Sequence, residues 1–122
     1  MKPMPVYLER EFREMLFAKC YHDCGSLGEM GKRMGYSRRP GINGTVRDMW
    51  LGTVAIPGKR IEALATLAST SSTEIFAHKV PKEQNVASED WRSSYERFLR
   101  ILEETQSDRR EEVGRHASPR KE

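Results

Sequence analysis

The chain has little with which to build a catalytic, metal-bound or membrane-spanning protein. Its 122 residues include two cysteines and three histidines. A closed zinc site needs four ligands. Cys20, His22 and Cys24 stand close together, but His78 and His116 belong to other stretches. Cys20 and Cys24 therefore read as reduced structural thiols, and no metal or cofactor is expected. No apolar run approaches the length of a membrane span, and the first residues lack the basic, apolar and small pattern of a secretory signal. The expected setting is the cytoplasm, with no membrane partner. Paired carboxylates and a nucleophile beside a base are also missing, so an enzyme is not expected. Gly41 to Gly44 is glycine-rich but has neither a Gly-Lys-Ser/Thr ending nor a flanking strand, so a nucleotide-phosphate loop is not expected. Aromatics make up 8% of the chain and do not form the sheet motifs of common RNA readers.

Charge is plentiful and unevenly placed. Hydrophobic residues make up 37% and charged residues 32%, which suits one domain with a modest core and a solvated part. The net charge is only +3. Ser26 to Ala68, however, holds Lys32, Arg33, Arg38, Arg39, Arg47, Lys59 and Arg60 against Glu29, Asp48 and Glu62, so the excess is confined to this stretch. A localised basic surface points to a polyanion partner.

The same stretch carries the clearest structural signals. Ser26-Leu27-Gly28-Glu29 reads as a capping box that opens a helix running to about Met34, with Leu27, Met30 and Met34 on one face. Gly31 leaves room for a crossing helix. Gly35 supplies a positive φ that ends the helix, and Tyr36 anchors the turn. Pro40-Gly41 and Asn43-Gly44 are turn dipeptides. A short helix then starts at Thr45 or Gly44 and ends at Gly52, with Val46, Met49 and Trp50 facing inward and Arg47 and Asp48 outward. Ile56-Pro57 opens a further helix whose stripe is Ile61, Leu64, Ala65 and Ala68.

On these residues the chain resembles the lambda-repressor-like, Cro-type helix-turn-helix family of small prokaryotic DNA-binding domains. Met30-Gly31 stands for the family's Leu-Ala-like pair, Met34-Gly35-Tyr36-Ser37 for its Leu-Gly-Val-Ser-like turn, and Ile56-Pro57 opens onto Leu64 and Leu67. The resemblance implies an all-α, five-helix domain and a sequence-specific transcription regulator of double-stranded DNA, acting as a homodimer at the nucleoid. Arg38 to Gly44 makes the turn longer than is usual in the family, and Trp50-Leu51 replace its acidic or amide residues. Ser26 is expected to orient free helix amides toward a phosphate. Lys32, Arg33, Ser37, Arg38, Arg39, Lys59 and Arg60 should lie along the DNA backbone, while Asn43, Thr45, Arg47 and Asp48 should face base edges.

Flanking segments complete the expectation. Met1 to Pro5 should be a frayed, extended terminus. Tyr7 to about His22 should form the first helix, with Leu8, Phe12, Leu16 and Cys20 inward and Arg13 on the polar face. Ser71-Ser72-Thr73-Glu74 opens the fifth helix, with Ile75 and Phe76 closing a domain over 1–79. A linker should occupy 80–87. An amphipathic helix over 88–107 carries Trp91, Tyr95, Phe98 and Leu102 as a seam, which either packs in cis or dimerises. Residues 108–122 read as a disordered tail. The alternative reading is a protein-interaction module, an antitoxin or assembly subunit, working through that seam.

Overall fold

The computed structural model describes residues 4–37 and 40–117. Among these, helices dominate: α1 Arg10–Cys24, α2 Leu27–Arg33, α3 Ile42–Leu51, α4 Ile61–Leu67, α5 Ser72–Ala77 and α6 Trp91–Ala117. The fold is mostly helical, but it is not all-α. Strands β1 Pro5–Leu8, β2 Ile56–Pro57 and β3 Lys79–Val80 form a small antiparallel sheet in the order β2-β1-β3.

The sheet corrects the reading of the N-terminus. Val6 and Leu8 are buried while Pro5 and Tyr7 are less so, a two-residue alternation that suits a strand and not a helix. Val6 pairs with Ile56, and Leu8 with Lys79. Helix α1 consequently begins at Arg10, after Glu9, and its phase differs from the expected one. Arg13, Leu16, Phe17 and Cys20 face the core, while Phe12 is half-buried.

Helices α2 and α3 meet closely because Gly31 has no side chain. A Cβ there would stand 2.6 Å from Ile42 Cγ1 and 3.2 Å from Val46 Cγ2. Gly35 ends the segment with φ 102°. Helix α3 starts earlier than expected: Gly41, at φ 90°, precedes Ile42, so Asn43 and Gly44 lie in the first turn and the intervening loop is shorter. Ile42 is buried, and that burial draws the first turn into the helix.

Downstream, Ile61, Leu64, Ala65 and Ala68 are buried as the stripe predicts. Pro57 lies in β2, and a 3-10 turn at Gly58–Arg60 leads into α4. Ser71 caps α5 by accepting from the Glu74 amide, and Ile75 is buried, but Phe76 is exposed and does not close the core. His78 lies between Glu9 (2.9 Å) and Glu74 (3.5 Å) and stacks on Phe12 at 3.8 Å.

Two further expectations change at the C-terminal end. The 80–87 segment is not a free tether, since part of β3, a 3-10 turn at Lys82–Gln84 and contacts from Asn85 to α3 lie within it. Helix α6 continues to Ala117, past the expected start of a disordered tail at Asp108. The extension, 108–117, carries three arginines and two glutamates, residue types that lose little rotamer freedom in a helix. Residues 118–122 of the expected tail lie outside the described residues.

The α6 seam packs within its own chain. Trp91 lies 5.0 Å from Trp50 and 5.2 Å from Tyr21, between ring centroids, and Tyr95 lies 4.7 Å from Tyr21. Tyr95 and Phe98 also flank His22, and Leu102 is half-buried. These aromatic contacts with α1 and α3 use the surface expected for dimerisation. They fit an α1 face that is itself aromatic at Phe17 and Tyr21.

Candidate nucleic-acid interface

Helix α3 has two contrasting sides. Ile42, Val46, Met49 and Trp50 are buried, while Asn43 and Arg47, four residues apart and on one face, are exposed. Between them sits Gly44, which is half-buried, and a Cβ there would stand 3.5 Å from Arg47 Nη2. Beside Asn43, a notch of about 290 Å³ is lined by Ser26, Gly28, Glu29, Lys32 and Ile42. A Cβ at Gly28 would stand 3.1 Å from Asn43 Oδ1, so glycine lets the two helices converge there.

The side chains expected to read bases are arranged unequally. Arg47 Nε and Nη2 both donate to Asp48 Oδ1 at 3.3 Å, so the two outward residues form a pair on the surface. Thr45 is half-buried, and its hydroxyl donates to the Gly41 carbonyl at 3.1 Å. That bond replaces its expected capping role and turns it away from the Asn43 and Arg47 row. Asn43 and Arg47 keep the outward placement that readout needs.

The expected backbone contacts differ in what each already touches. Lys32 and Lys59 are exposed, as is Ser37. Arg33 is exposed too, but Glu29 Oε2 accepts from its Nε at 3.0 Å. Glu29 is therefore turned along α2, and only the Ser26 half of the capping box forms, with the Ser26 hydroxyl accepting from the Glu29 amide. That bond engages Ser26 within its own helix. Arg38 and Arg39 lie outside the described residues.

Arg60 is half-buried and turned back onto the end of α2. Its guanidinium lies 4.3 Å above the Tyr36 ring, and Nη1 donates to the Met34 carbonyl at 3.4 Å. Its buried Nε has no acceptor among the described residues. A Cβ on Gly35 would collide with the same guanidinium, so glycine is needed there both for φ and for space. Arg60 thus fastens the end of α2, and the cleft of about 420 Å³ beside it leaves Ser37 and Lys59 as its exposed polar groups.

A buried cluster behind α3 is centred on Arg13, which the expected helical spacing puts on a polar face. Arg13, only 1% exposed, donates from Nε to the Trp50 carbonyl at 2.8 Å and from Nη2 to the Val86 carbonyl at 2.9 Å. Nη2 also donates to Ser88 Oγ at 2.8 Å, and the Ser88 hydroxyl donates onward to Glu14. Glu14 accepts from Arg97 at 2.6 Å. Burial pushes the Glu14 carboxyl up, but the bonds from Ser88 and Arg97 and the charges of Arg97 and Arg10 hold it below the ordinary glutamate value. The available signal was phase: Arg13 begins the series Arg13, Leu16, Phe17 and Cys20, a cation at the head of an apolar stripe.

The cysteines are free, and burial pushes the Cys20 thiol up to about 12, so it remains protonated as a small buried hydrophobe. None of the described helices is long and apolar enough to cross a membrane. No protein-family model, curated protein or solved structure matches the chain.

Proposed function

We propose that the chain is a sequence-specific double-stranded DNA-binding protein, a regulator of transcription in which α2 and α3 form a helix-turn-helix. The observation that carries this reading is the exposed Asn43 and Arg47 row of a helix whose opposite side is buried. Arg47 is the residue for a guanine edge, where two guanidinium donors meet O6 and N7. Asp48 accepts from cytosine and orients Arg47 through the 3.3 Å contacts. Asn43 pairs with adenine. Lys32 and Lys59 supply charge to phosphates, which position the duplex without reading it.

A second copy on a second half-site belongs to this reading. Within one chain Trp91, Tyr95 and Phe98 already pack against Tyr21, Trp50 and His22. No catalytic step is part of the proposal.

Binding to a preferred duplex and to random duplex, measured across a salt series, tests it. Arg47→Ala should weaken the preferred duplex by roughly 1 to 3 kcal/mol and relax the choice at one base pair. Lys59→Ala should weaken all duplexes alike and reduce the salt slope by about one. Equal losses on every sequence from Arg47→Ala would remove its role in readout.

A further inference from the structure

We propose that Asn85 and Ser88, with Arg13 behind them, are positioning residues for α3. They fix its placement in the domain and thereby the sequence discrimination of Asn43 and Arg47, without meeting DNA. The inference rests on the DNA-binding reading above.

A helix leaves its last carbonyls without partners inside the helix. At the end of α3 each is accounted for by a named donor. The Asp48 carbonyl accepts from the Thr53 amide at 3.0 Å and the Met49 carbonyl from the Gly52 amide at 3.2 Å, both within the local turn. Beyond these, distant residues take over. Arg13 Nε reaches the Trp50 carbonyl at 2.8 Å, the Ser88 amide the Leu51 carbonyl at 2.7 Å, and Asn85 Nδ2 the Gly52 carbonyl at 2.9 Å. These donors are also tied to one another. Arg13 Nη1 donates to Asn85 Oδ1 at 3.4 Å, and Nη2 to Ser88 Oγ at 2.8 Å.

The consequence is geometric. Ten residues of α3 extend about 15 Å, with the distant anchors at one end and Asn43 at the other. Slack at the anchored end therefore lets α3 tilt on its contact with α2 at Gly31, which re-aims the Asn43 and Arg47 row. Base edges demand hydrogen-bond distances and angles within a narrow range. Phosphate contacts depend mainly on charge and tolerate the same shift. Loosening an anchor should thus lower the ratio of specific to random affinity and leave random binding in place.

Asn85→Ala and Asn85→Asp in the full chain separate this role from ordinary loss of stability. Both remove the donor to the Gly52 carbonyl, while Asp keeps an acceptor for Arg13. Affinities for a preferred and a random duplex are measured at temperatures where unfolding curves show each variant folded. The expected result is a fall of about fivefold to tenfold in the specific-to-random ratio for both variants. The charge added by Asp acts on every duplex alike and cancels in the ratio. An unchanged ratio, or equal losses on both duplexes, would overturn the proposal. A ratio lost with Ala but kept with Asp would overturn the assignment to the Gly52 carbonyl. If the wild-type chain shows no sequence preference, the DNA-binding reading itself fails, a result distinct from any difference between variants.

Discussion

Replacing Arg13 by Met is expected to destabilise the fold by about 3 to 5 kcal/mol, because several buried acceptors lose their donor at once, each at a cost of about 1 to 3 kcal/mol. The Trp50 and Val86 carbonyls would lose their guanidinium donors, and Ser88 would lose the group that orients its hydroxyl toward Glu14. Met fills part of the space without replacing any of these bonds. Lys is not an adequate substitute either, since a point charge cannot span acceptors arranged around a planar fork. Denaturant unfolding checks the expectation. A loss within about 0.5 kcal/mol, typical of exposed surface sites, would contradict the role given to this residue.

The second large effect is expected at Trp50. Its ring is fully buried and lies 6.2 Å from Phe17, 5.7 Å from Tyr21 and 5.0 Å from Trp91, between centroids. Trp50→Ala should cost about 3 to 5 kcal/mol, the range for emptying a large aromatic site. It should also loosen α6, because the cavity opens directly beneath Trp91. Trp50→Phe should cost distinctly less. It keeps an aromatic partner and removes an indole Nε1 that has no acceptor among the described residues. Unfolding midpoints for the two variants, together with Trp91 fluorescence as a probe of α6 docking, measure both effects. Equal costs for Ala and Phe would show that ring packing is not what Trp50 contributes.

These residues show where sequence was informative and where it was not. Ser26 as a helix cap, Gly35 and Gly52 at positive φ, and the Ile61, Leu64, Ala65 and Ala68 stripe were legible because each is a local requirement of backbone or period. The strand at Pro5–Leu8 was not, since four residues become a strand only through partners at Ile56–Pro57 and Lys79–Val80. Tertiary pairing overrides local propensity at that length. Arg13 looked like part of a polar face because its partners come from distant Trp50, Val86 and Ser88.

The candidate interface divides in the same way. Exposure of Arg47 follows from the helical period of Val46, Met49 and Trp50, which the sequence displays, whereas Asn43 joins that face only because the buried Ile42 brings the preceding turn into the helix. The inward turn of Arg60 over Tyr36 depends on three-dimensional neighbours, whereas the Glu29 pairing with Arg33 is a local contact one helical turn apart on α2. Positive charge in a sequence therefore overstated the charge free to meet phosphate. The seam of α6 likewise carried a strong pattern whose partner, α1 or a second copy, no periodicity could decide.

Selection of bound duplexes from a random pool, using the full chain and followed by a salt titration of the recovered sequences, tests the central claim most directly. The account predicts a recurring motif with a guanine at the Arg47 position and affinity that falls linearly on logarithmic axes as salt rises. Failure to retain any duplex at low salt would contradict it.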